Sequence, residues 1–279
     1  MAYLTAVFTA SDKSYNVHCI REFTPEQFAD HERVLADFVR LRQRFSLLHI
    51  VELNFAALMS FIHELESSQN PDKNRALVQA NRHFMNYLSS SYALWQHLRT
   101  SLIRDFGRRS EQVLRFMKYI QLLEDNRFEY AFCQDFRNFV QHCGFPVGGM
   151  NLRHDRAGRV ATVKYSKAAL LTEYNGWEKS HLRGRPETDF DLLAIIKQHN
   201  RMVIQGFSVV IQAVYASNLD RIESYFLSLH KEAKRVHENA VAKVVLALPS
   251  SPEEGTITFE DIPANPLAEL GLSRKHAKS

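Results

Sequence analysis

The sequence predicts a mainly α-helical fold, in which an antiparallel helical bundle carries small β-hairpin additions and is followed by a second α-rich region. Glycine and proline are scarce, with 10 and 8 residues, while phenylalanine is abundant, with 19. Apolar residues recur at intervals of three and four over several long segments, which glycine, proline or polar residues separate. The 279 residues are 45% hydrophobic and 24% charged, a composition typical of a soluble globular chain.

Two short segments at the start of the chain, 3–9 and 14–20, alternate apolar and polar residues and predict a β-hairpin. A helix is predicted to begin directly afterwards, because Thr24 supplies an N-cap, Pro25 suits the first helical position and Gln27 completes a capping box. The apolar periodicity continues to about residue 66, which indicates one very long helix or two in line.

Three more helices are predicted before residue 147. The second covers about 74–106 and ends at Gly107, the third covers about 110–123, and the fourth covers about 127–142. Gly144 and Pro146 close the fourth helix, since together they forbid its continuation. Four amphipathic helices with short links favour an antiparallel bundle.

The pattern changes after residue 147. Segments 150–154 and 159–165 predict a second hairpin, whose sheet partner is expected to be the N-terminal hairpin. Helices are expected from about 188 to 215 and from 220 to 245, and an irregular acidic stretch and a basic tail follow. The chain is therefore predicted to divide into an N-terminal hairpin (1–23), a helical bundle (24–147), a hairpin with a C-terminal helical region (148–248) and an irregular tail (249–279).

Several function classes are excluded by missing motifs. The chain contains no GxGxxG, GxxxxGK[ST] or GxSxG, which removes dinucleotide-binding, P-loop and serine-hydrolase interpretations. Three cysteines without CxxC spacing predict neither a disulfide framework nor a zinc site and suggest a reducing compartment. Only residues 178–181 have the Glu-x-x-His spacing of a di-iron bundle, so no metal and no cofactor is expected.

The first residues lack the positive charge of a signal peptide, and polar residues interrupt the apolar run at 202–216. We therefore expect a cytoplasmic protein with no membrane contact. The net charge of +4 is modest, but residues 150–185 are locally basic. That stretch is either a surface for a phosphate backbone or a solvated face.

The most informative segment is the predicted fourth helix. At about 100° per residue, one apolar stripe is expected to face the bundle. The stripe consists of Phe128, Phe132, Phe136, Phe139 and Cys143. Polar residues spread around the other side, namely Tyr130, Gln134, Arg137, Asn138, Gln141 and His142. Arg137 and His142 stand about 140° apart on an ideal helix, so both could contact a phosphodiester lying against that side.

Residues of these types are suited to RNA cleavage without a metal, in which the ribose 2′-hydroxyl attacks the neighbouring phosphate. Histidine titrates near neutral pH and serves as general base or acid. Arginine offers a planar fork that matches phosphoryl oxygens. Asn138 could bind the phosphate or orient the imidazole. Because one chain supplies a single such histidine, a homodimer is expected to supply the second proton carrier.

The run from Arg137 to His142 resembles the Arg-polar-x-x-x-His motif of the HEPN superfamily, and the resemblance covers about residues 24–146. It implies a metal-independent endoribonuclease that acts as a dimer, in phage defence or as a toxin of the stress response, with an antitoxin or activator protein as a further partner. It implies that Arg137 is the phosphate ligand, His142 the general acid or base, and Asn138 the supporting polar residue. Candidate RNA contacts on the same helix and in the basic stretch are Gln134, Gln141, Arg153, Arg156 and Arg159.

The same spacing occurs a second time, at Arg44 and His49, but there Phe45 stands where the polar residue belongs. HEPN toxins that a paired nucleotidyltransferase silences carry a tyrosine two residues after the histidine, and this chain has Gly144. Regulation by modification of that tyrosine is therefore disfavoured. The alternative interpretation is a non-catalytic helical module that binds RNA or protein and carries a degenerate motif, with His142 acting as a helix C-terminal cation.

Overall fold

The computed structural model describes residues 2–9, 15–69, 71–155, 158–236, 241–249 and 257–272. The described residues are mostly helical, with small antiparallel sheets, which confirms the predicted mainly α class. The helices are α1 (Pro25–Ser67), α2 (Lys73–Phe106), α3 (Glu111–Asn126), α4 (Phe128–His142), α5 (Lys167–Glu173), α6 (Leu192–Val236) and α7 (Pro266–Glu269). The strands are β1 (Tyr3–Thr9), β2 (Tyr15–Glu22), β3 (Asn151–Asp155), β4 (Gly158–Thr162), β5 (Lys164–Ser166), β6 (Asp189–Asp191), β7 (Val241–Pro249) and β8 (Ile257–Asp261).

The chain forms two compact units. Unit 1 contains residues 1–45 and 215–279, and unit 2 contains residues 46–214. Helices α1 and α6 each contribute residues to both units. The predicted boundaries at residues 23, 147 and 248 follow changes in sequence pattern and stay a prediction.

Unit 1 contains a four-stranded antiparallel sheet with the strand order β2-β1-β7-β8. The predicted N-terminal hairpin is confirmed as β1 and β2. Strand β1 also pairs with β7, where Tyr3 lies opposite Ala247, and β7 pairs with β8, where Val245 lies opposite Asp261. The sheet therefore joins the beginning of the chain to a segment near its end.

The predicted helix over 220–245 is wrong in its last part, because helix α6 ends at Val236 and residues 241–249 form β7. Val244, Val245 and Leu246 are buried, and β7 pairs on both sides. A continuous apolar run that is rich in valine suits such a central strand. The stretch predicted to be irregular after residue 249 contains strand β8 and the short helix α7, while the basic tail at 274–279 lies outside the described residues.

The second predicted hairpin is confirmed as β3 and β4. The expectation that it joins the N-terminal hairpin is wrong, because β3 and β4 form a two-stranded sheet and the further neighbour of β1 is β7. Strands β5 and β6 form another two-stranded sheet, with Tyr165 opposite Phe190.

The predicted helix starts and stops are confirmed by their hydrogen bonds. Thr24 Oγ1 accepts from the Gln27 backbone N–H at 3.2 Å, and Gln27 Oε1 accepts from the Thr24 N–H at 3.1 Å, which is a complete capping box. The Asp72 carboxylate caps α2 by accepting from two backbone N–H groups. Gly107 ends that helix with φ 85°, a conformation that favours glycine.

Helix α6 is a single helix of 45 residues, where two helices had been predicted. It begins at the Asp191 carboxylate, which accepts from the backbone N–H groups of Leu193 and Ala194. The predicted break near residues 216–219 contains neither glycine nor proline, so the helix continues through it.

Helices α1 and α6 also contain apolar windows of 18 residues with mean hydropathies of 1.7 and 1.3. By length and composition both helices could cross a membrane, and buried core helices of soluble proteins meet the same criterion. The cytoplasmic location and the absence of a membrane partner therefore stay predictions.

In unit 2, helices α2, α3 and α4 pack against one another. A buried polar pair lies among them, since the Tyr87 hydroxyl and His199 Nδ1 are 2.8 Å apart. Burial lowers the pKa of His199 to about 3 and raises the pKa of Tyr87 well above its usual value. The Nε2 atom of His199 makes no hydrogen bond to any described residue. The imidazole is therefore neutral at physiological pH.

Candidate functional site

The candidate site lies at the C-terminal end of α4, which stops where the sequence predicts. The backbone N–H groups of Cys143 and Gly144 both donate to the Phe139 carbonyl oxygen, at 2.8 and 3.3 Å. A Cβ atom on Gly144 would lie 2.8 Å from Cζ of Phe139, closer than real Cβ contacts come. Glycine is therefore needed here for the close approach of the chain to a buried phenyl ring.

The phenylalanine stripe of α4 is buried as predicted, but it packs against a different part of the chain from the one expected. Phe132, Phe136 and Phe139 all lie on the indole of Trp177, with ring centroids 5.6, 6.4 and 5.9 Å away. Cys143, which was expected to continue the stripe, is exposed. The expectation that the stripe faces the bundle helices is wrong, because the segment after β4 covers it.

The opposite side of α4 faces the helices, so its first half is buried all round. Tyr130 contacts the rings of Trp95 and His199, at 6.4 and 5.6 Å between centroids. Gln134, a predicted RNA contact, is 8% exposed and forms a side-chain hydrogen bond with Tyr130. Within this chain, Gln134 therefore belongs to the core and not to the surface.

Arg137 is half-buried and held by two interactions. Its guanidinium carbon lies 4.1 Å from the centroid of the Tyr92 ring on α2, which is a cation–π distance. Its Nη1 donates a hydrogen bond of 3.1 Å to Oδ1 of the half-buried Asn138. Its Nε is buried and makes no hydrogen bond to the described residues. The orientation of the arginine fork is thus fixed by a neighbouring helix and by the next residue.

His142 is the last residue of α4, and both His142 and Gln141 are exposed. The structure places Arg137, Asn138 and His142 on the last turn and a half of one helix. A positive side chain at a helix C-terminus is stabilised by the helix dipole, and this applies to a protonated His142 whether or not it has a catalytic role.

The predicted RNA contacts of the basic stretch are dispersed. Arg153 is exposed on β3, and Arg156 lies outside the described residues. Arg159 on β4 is half-buried and donates from Nη1 to the backbone carbonyls of Ser68 and Gln69, in the link that follows α1. The structure therefore gives Arg159 a structural partner and leaves Arg153 open to solvent.

The described residues of unit 2 include the linings of two clefts. The α1–α2 cleft has a volume of about 580 Å³, and Phe61, Arg75, Arg82 and His83 are among the residues that line it. The hairpin cleft has a volume of about 470 Å³ and is lined in part by Leu65, Lys73, Leu77, Met150 and Arg159. Arg137, Asn138 and His142 line neither cleft.

Sequence reasoning missed two residues that shape this end of α4. Tyr92 supports Arg137, and nothing in the sequence links a residue of α2 to one of α4. Asp135 is buried and accepts from the backbone N–H and the hydroxyl of Ser180, both at 2.8 Å. Burial raises the pKa of this carboxyl group. An acidic residue inside a run of phenylalanines was the available signal that a polar partner must cover it.

The described residues contain no group of three or more His, Cys, Asp or Glu side chains that could hold a metal ion. Comparison of the chain with protein families, with characterised protein sequences and with solved structures gives no match.

Proposed function

We propose that this protein is a metal-independent endoribonuclease of the HEPN type, and that residues 24–147 form a HEPN-like bundle. The proposal rests on the position of the Arg137 guanidinium. Tyr92 and Asn138 hold this group in place, and the exposed His142 lies 1.4 helical turns further along α4. An arginine fork and an imidazole on the last turn and a half of one helix offer the two functional groups that cleavage of a phosphodiester needs.

In the proposed reaction the ribose 2′-oxygen attacks the adjacent phosphorus and the bond from phosphorus to the 5′-oxygen breaks. A general base takes the 2′-hydroxyl proton, and a general acid gives a proton to the leaving 5′-oxygen. The products are a 2′,3′-cyclic phosphate and a free 5′-hydroxyl. Arg137 stabilises the negative charge that develops on the phosphoryl oxygens, because guanidinium N–H groups match their geometry.

His142 carries one of the two proton transfers in each chain. A second copy of the chain supplies the other imidazole, so we propose a homodimer as the active form. In this proposal Asn138 is a positioning residue, which fixes Nη1 of Arg137 and thereby the direction of the fork. The role in the cell that we propose is phage defence or a toxin-like stress response in the cytoplasm, with an antitoxin or activator protein as a further partner.

A second candidate function is a helical module that binds RNA or protein without cleavage. The half-buried state of Arg137 favours it, because a guanidinium that is already stacked on a ring and bonded to an amide also serves as a contact between helices. In that case the exposed His142 stabilises the C-terminal end of α4 and takes part in no reaction.

The full-length protein, incubated at micromolar concentration with a single-stranded RNA in EDTA, separates the two functions. We expect cleavage that leaves 2′,3′-cyclic phosphate ends, and no cleavage where a 2′-deoxynucleotide replaces the nucleotide before the scissile bond. RNA that stays intact, or products that carry 3′-hydroxyl ends, would overturn the proposed chemistry.

A further inference from the structure

Phe145 is the most exposed of the large apolar side chains in the described part of the chain, with 71% of its surface accessible. It follows the candidate site by three residues, which places its Cα at most about 11 Å from that of His142. A single exposed apolar residue is common on protein surfaces. The backbone around Phe145, however, is held by hydrogen bonds on both sides of the residue.

The loop that carries Phe145 is bonded on its N-terminal side to α4 through the Phe139 carbonyl oxygen. The carbonyl of Phe145 itself accepts from the Tyr165 hydroxyl at 2.6 Å. Burial raises the pKa of Tyr165 to about 12, so this hydroxyl keeps its proton and remains a donor at every physiological pH. The backbone of Phe145 is thus fixed while its ring points into solvent.

The loop is bonded on its C-terminal side to α2. Asn81 Oδ1 accepts from the Val147 N–H at 2.8 Å, and Asn81 Nδ2 donates to the Val147 carbonyl at 3.0 Å. Pro146, Val147 and Asn81 are all buried. Residues on both sides of Phe145 are therefore anchored in the core, and the backbone that carries the exposed ring is rigid.

A rigid, exposed aromatic face is the element on which proteins stack unpaired nucleobases. We propose that Phe145 is a base-stacking platform, and that it holds one unpaired base of single-stranded RNA beside the phosphodiester that Arg137 and His142 engage. This inference rests on the proposed function and narrows its substrate to RNA that is unpaired at the cleavage site. A paired base cannot offer its face to Phe145 without leaving the duplex.

The loop continues toward the hairpin cleft, which gives the strand a path away from the site. Asn81 Nδ2 also donates to the Leu77 carbonyl at 3.0 Å, and Leu77 lines that cleft. Gly149 and Lys73 line it as well, and Lys73 supplies a positive charge for a phosphate. In this proposal the neighbouring nucleotides pass the exposed Gly148 and Gly149 toward Lys73.

The test uses single-stranded RNA with 2-aminopurine at the stacked position, bound to full-length His142→Ala protein so that the RNA stays intact. Stacking quenches 2-aminopurine, and we expect the quenching to disappear when Phe145→Ala is added. The Kd should rise by about 5- to 150-fold, since stacking on an aromatic side chain contributes about 1–3 kcal/mol per base.

Phe145→Trp should keep the affinity, whereas Phe145→Leu should lose most of it. Phe259→Ala, at an exposed phenylalanine of unit 1, is the matched control and should change nothing.

Cleavage by the protein with His142 intact separates this inference from the proposed function. If RNA is cleaved and Phe145→Ala leaves both KM and quenching unchanged, the platform is refuted and the nuclease stands. If RNA is never cleaved but Phe145 still quenches the base, the nuclease is refuted and the platform stands. If Phe145→Ala converts a dimer into a monomer in light scattering, the ring is an interface residue and the platform is refuted. Thermal melting should show equal stability for all Phe145 variants.

Discussion

Two segments of the chain carry an arginine followed five residues later by a histidine, and in both the guanidinium lies over a tyrosine ring. Arg44 lies 4.6 Å from the centroid of Tyr215, and Arg137 lies 4.1 Å from that of Tyr92. Both histidines are exposed. The arginines differ in depth, because Arg44 is only 4% exposed whereas Arg137 is half-buried.

The residue that follows each arginine differs as well. Asn138 accepts a hydrogen bond from Arg137, while the corresponding residue after Arg44 is Phe45. His49 lies 3.9 Å from Glu52 on the same helix, a carboxylate that would compete with any phosphate. Equal spacing therefore does not make the two segments equivalent sites. Depth of burial and the partners of each side chain separate them, and substitutions in each segment test that separation.

The largest difference is expected between the two histidines. His142→Ala should lower the rate of RNA cleavage by about 10²- to 10⁴-fold, the usual contribution of a general acid or base. His49→Ala should leave the rate unchanged, because its imidazole lies next to the Glu52 carboxylate and the Arg44 of its motif is buried. Cleavage is measured by gel electrophoresis, with circular dichroism to show equal helicity. Equal losses in both variants would mean that His142 has no special role.

His199 should make the fold sensitive to acid, because it is buried in its neutral form. Its folded-state pKa of about 3 lies below that of an unfolded histidine, so the unfolded chain binds the proton more tightly. This contribution to stability is complete above about pH 6.5 and decreases as the pH falls toward 3. Between pH 6.5 and 4 it should lower the free energy of unfolding by roughly 3 kcal/mol.

Urea unfolding at pH 7, 5 and 4 measures this loss. His199→Asn should flatten the pH dependence, although His31, whose pKa burial also lowers, will retain part of it. A His199→Asn profile identical to that of the unmodified chain would contradict the assignment.

The two arginines should differ in their effect on stability. Arg44→Ala should lower the free energy of unfolding by roughly 2 kcal/mol, because a desolvated cation–π contact and buried methylene groups are lost. Arg137→Ala should lower it by roughly 1 kcal/mol, since the guanidinium is partly hydrated. If Arg137→Ala is as destabilising as Arg44→Ala, Arg137 is a packing residue and the non-catalytic function is favoured.

Asn138 acts through Arg137, and its substitution should lower the rate less than that of His142. Asn138→Ala should lower kcat about tenfold with little change in KM, which corresponds to the loss of one hydrogen bond to a charged group, about 1.5 kcal/mol. Asn138→Asp keeps an acceptor for Nη1 and should restore most of the rate. Asn126→Ala, at an exposed asparagine of α3, is the control and should be neutral. A uniform rise in KM would instead indicate a role in binding.

The ends of the helices were predictable because they depend on local chemistry. Thr24 and Gln27 form their capping box within four residues, and Gly107 ends its helix through its own backbone conformation. The strand at 241–249 was not predictable in this way, because a short continuous apolar run suits a buried helix as well as a central strand.

The face of α4 was predictable, but its neighbours were not. A period of 3.6 residues shows which side chains point together and does not show what covers them. Trp177 follows the stripe by some forty residues, and Tyr92 precedes Arg137 by a similar distance. The candidate motif could therefore be found in the sequence, while its support by Tyr92 and the burial of Gln134 required the structure.

Gly144 also limits how this protein could evolve. The 2.8 Å approach of a Cβ to the buried ring of Phe139 means that a side chain is accepted at this position only if that ring moves, and the ring is stacked on Trp177. In the HEPN toxins that the motif resembles, this is the position of the tyrosine that a nucleotidyltransferase modifies. A substitution of Gly144 by tyrosine alone would disturb the aromatic core. A protein with this packing could therefore acquire regulation by tyrosine modification only together with changes at Phe139.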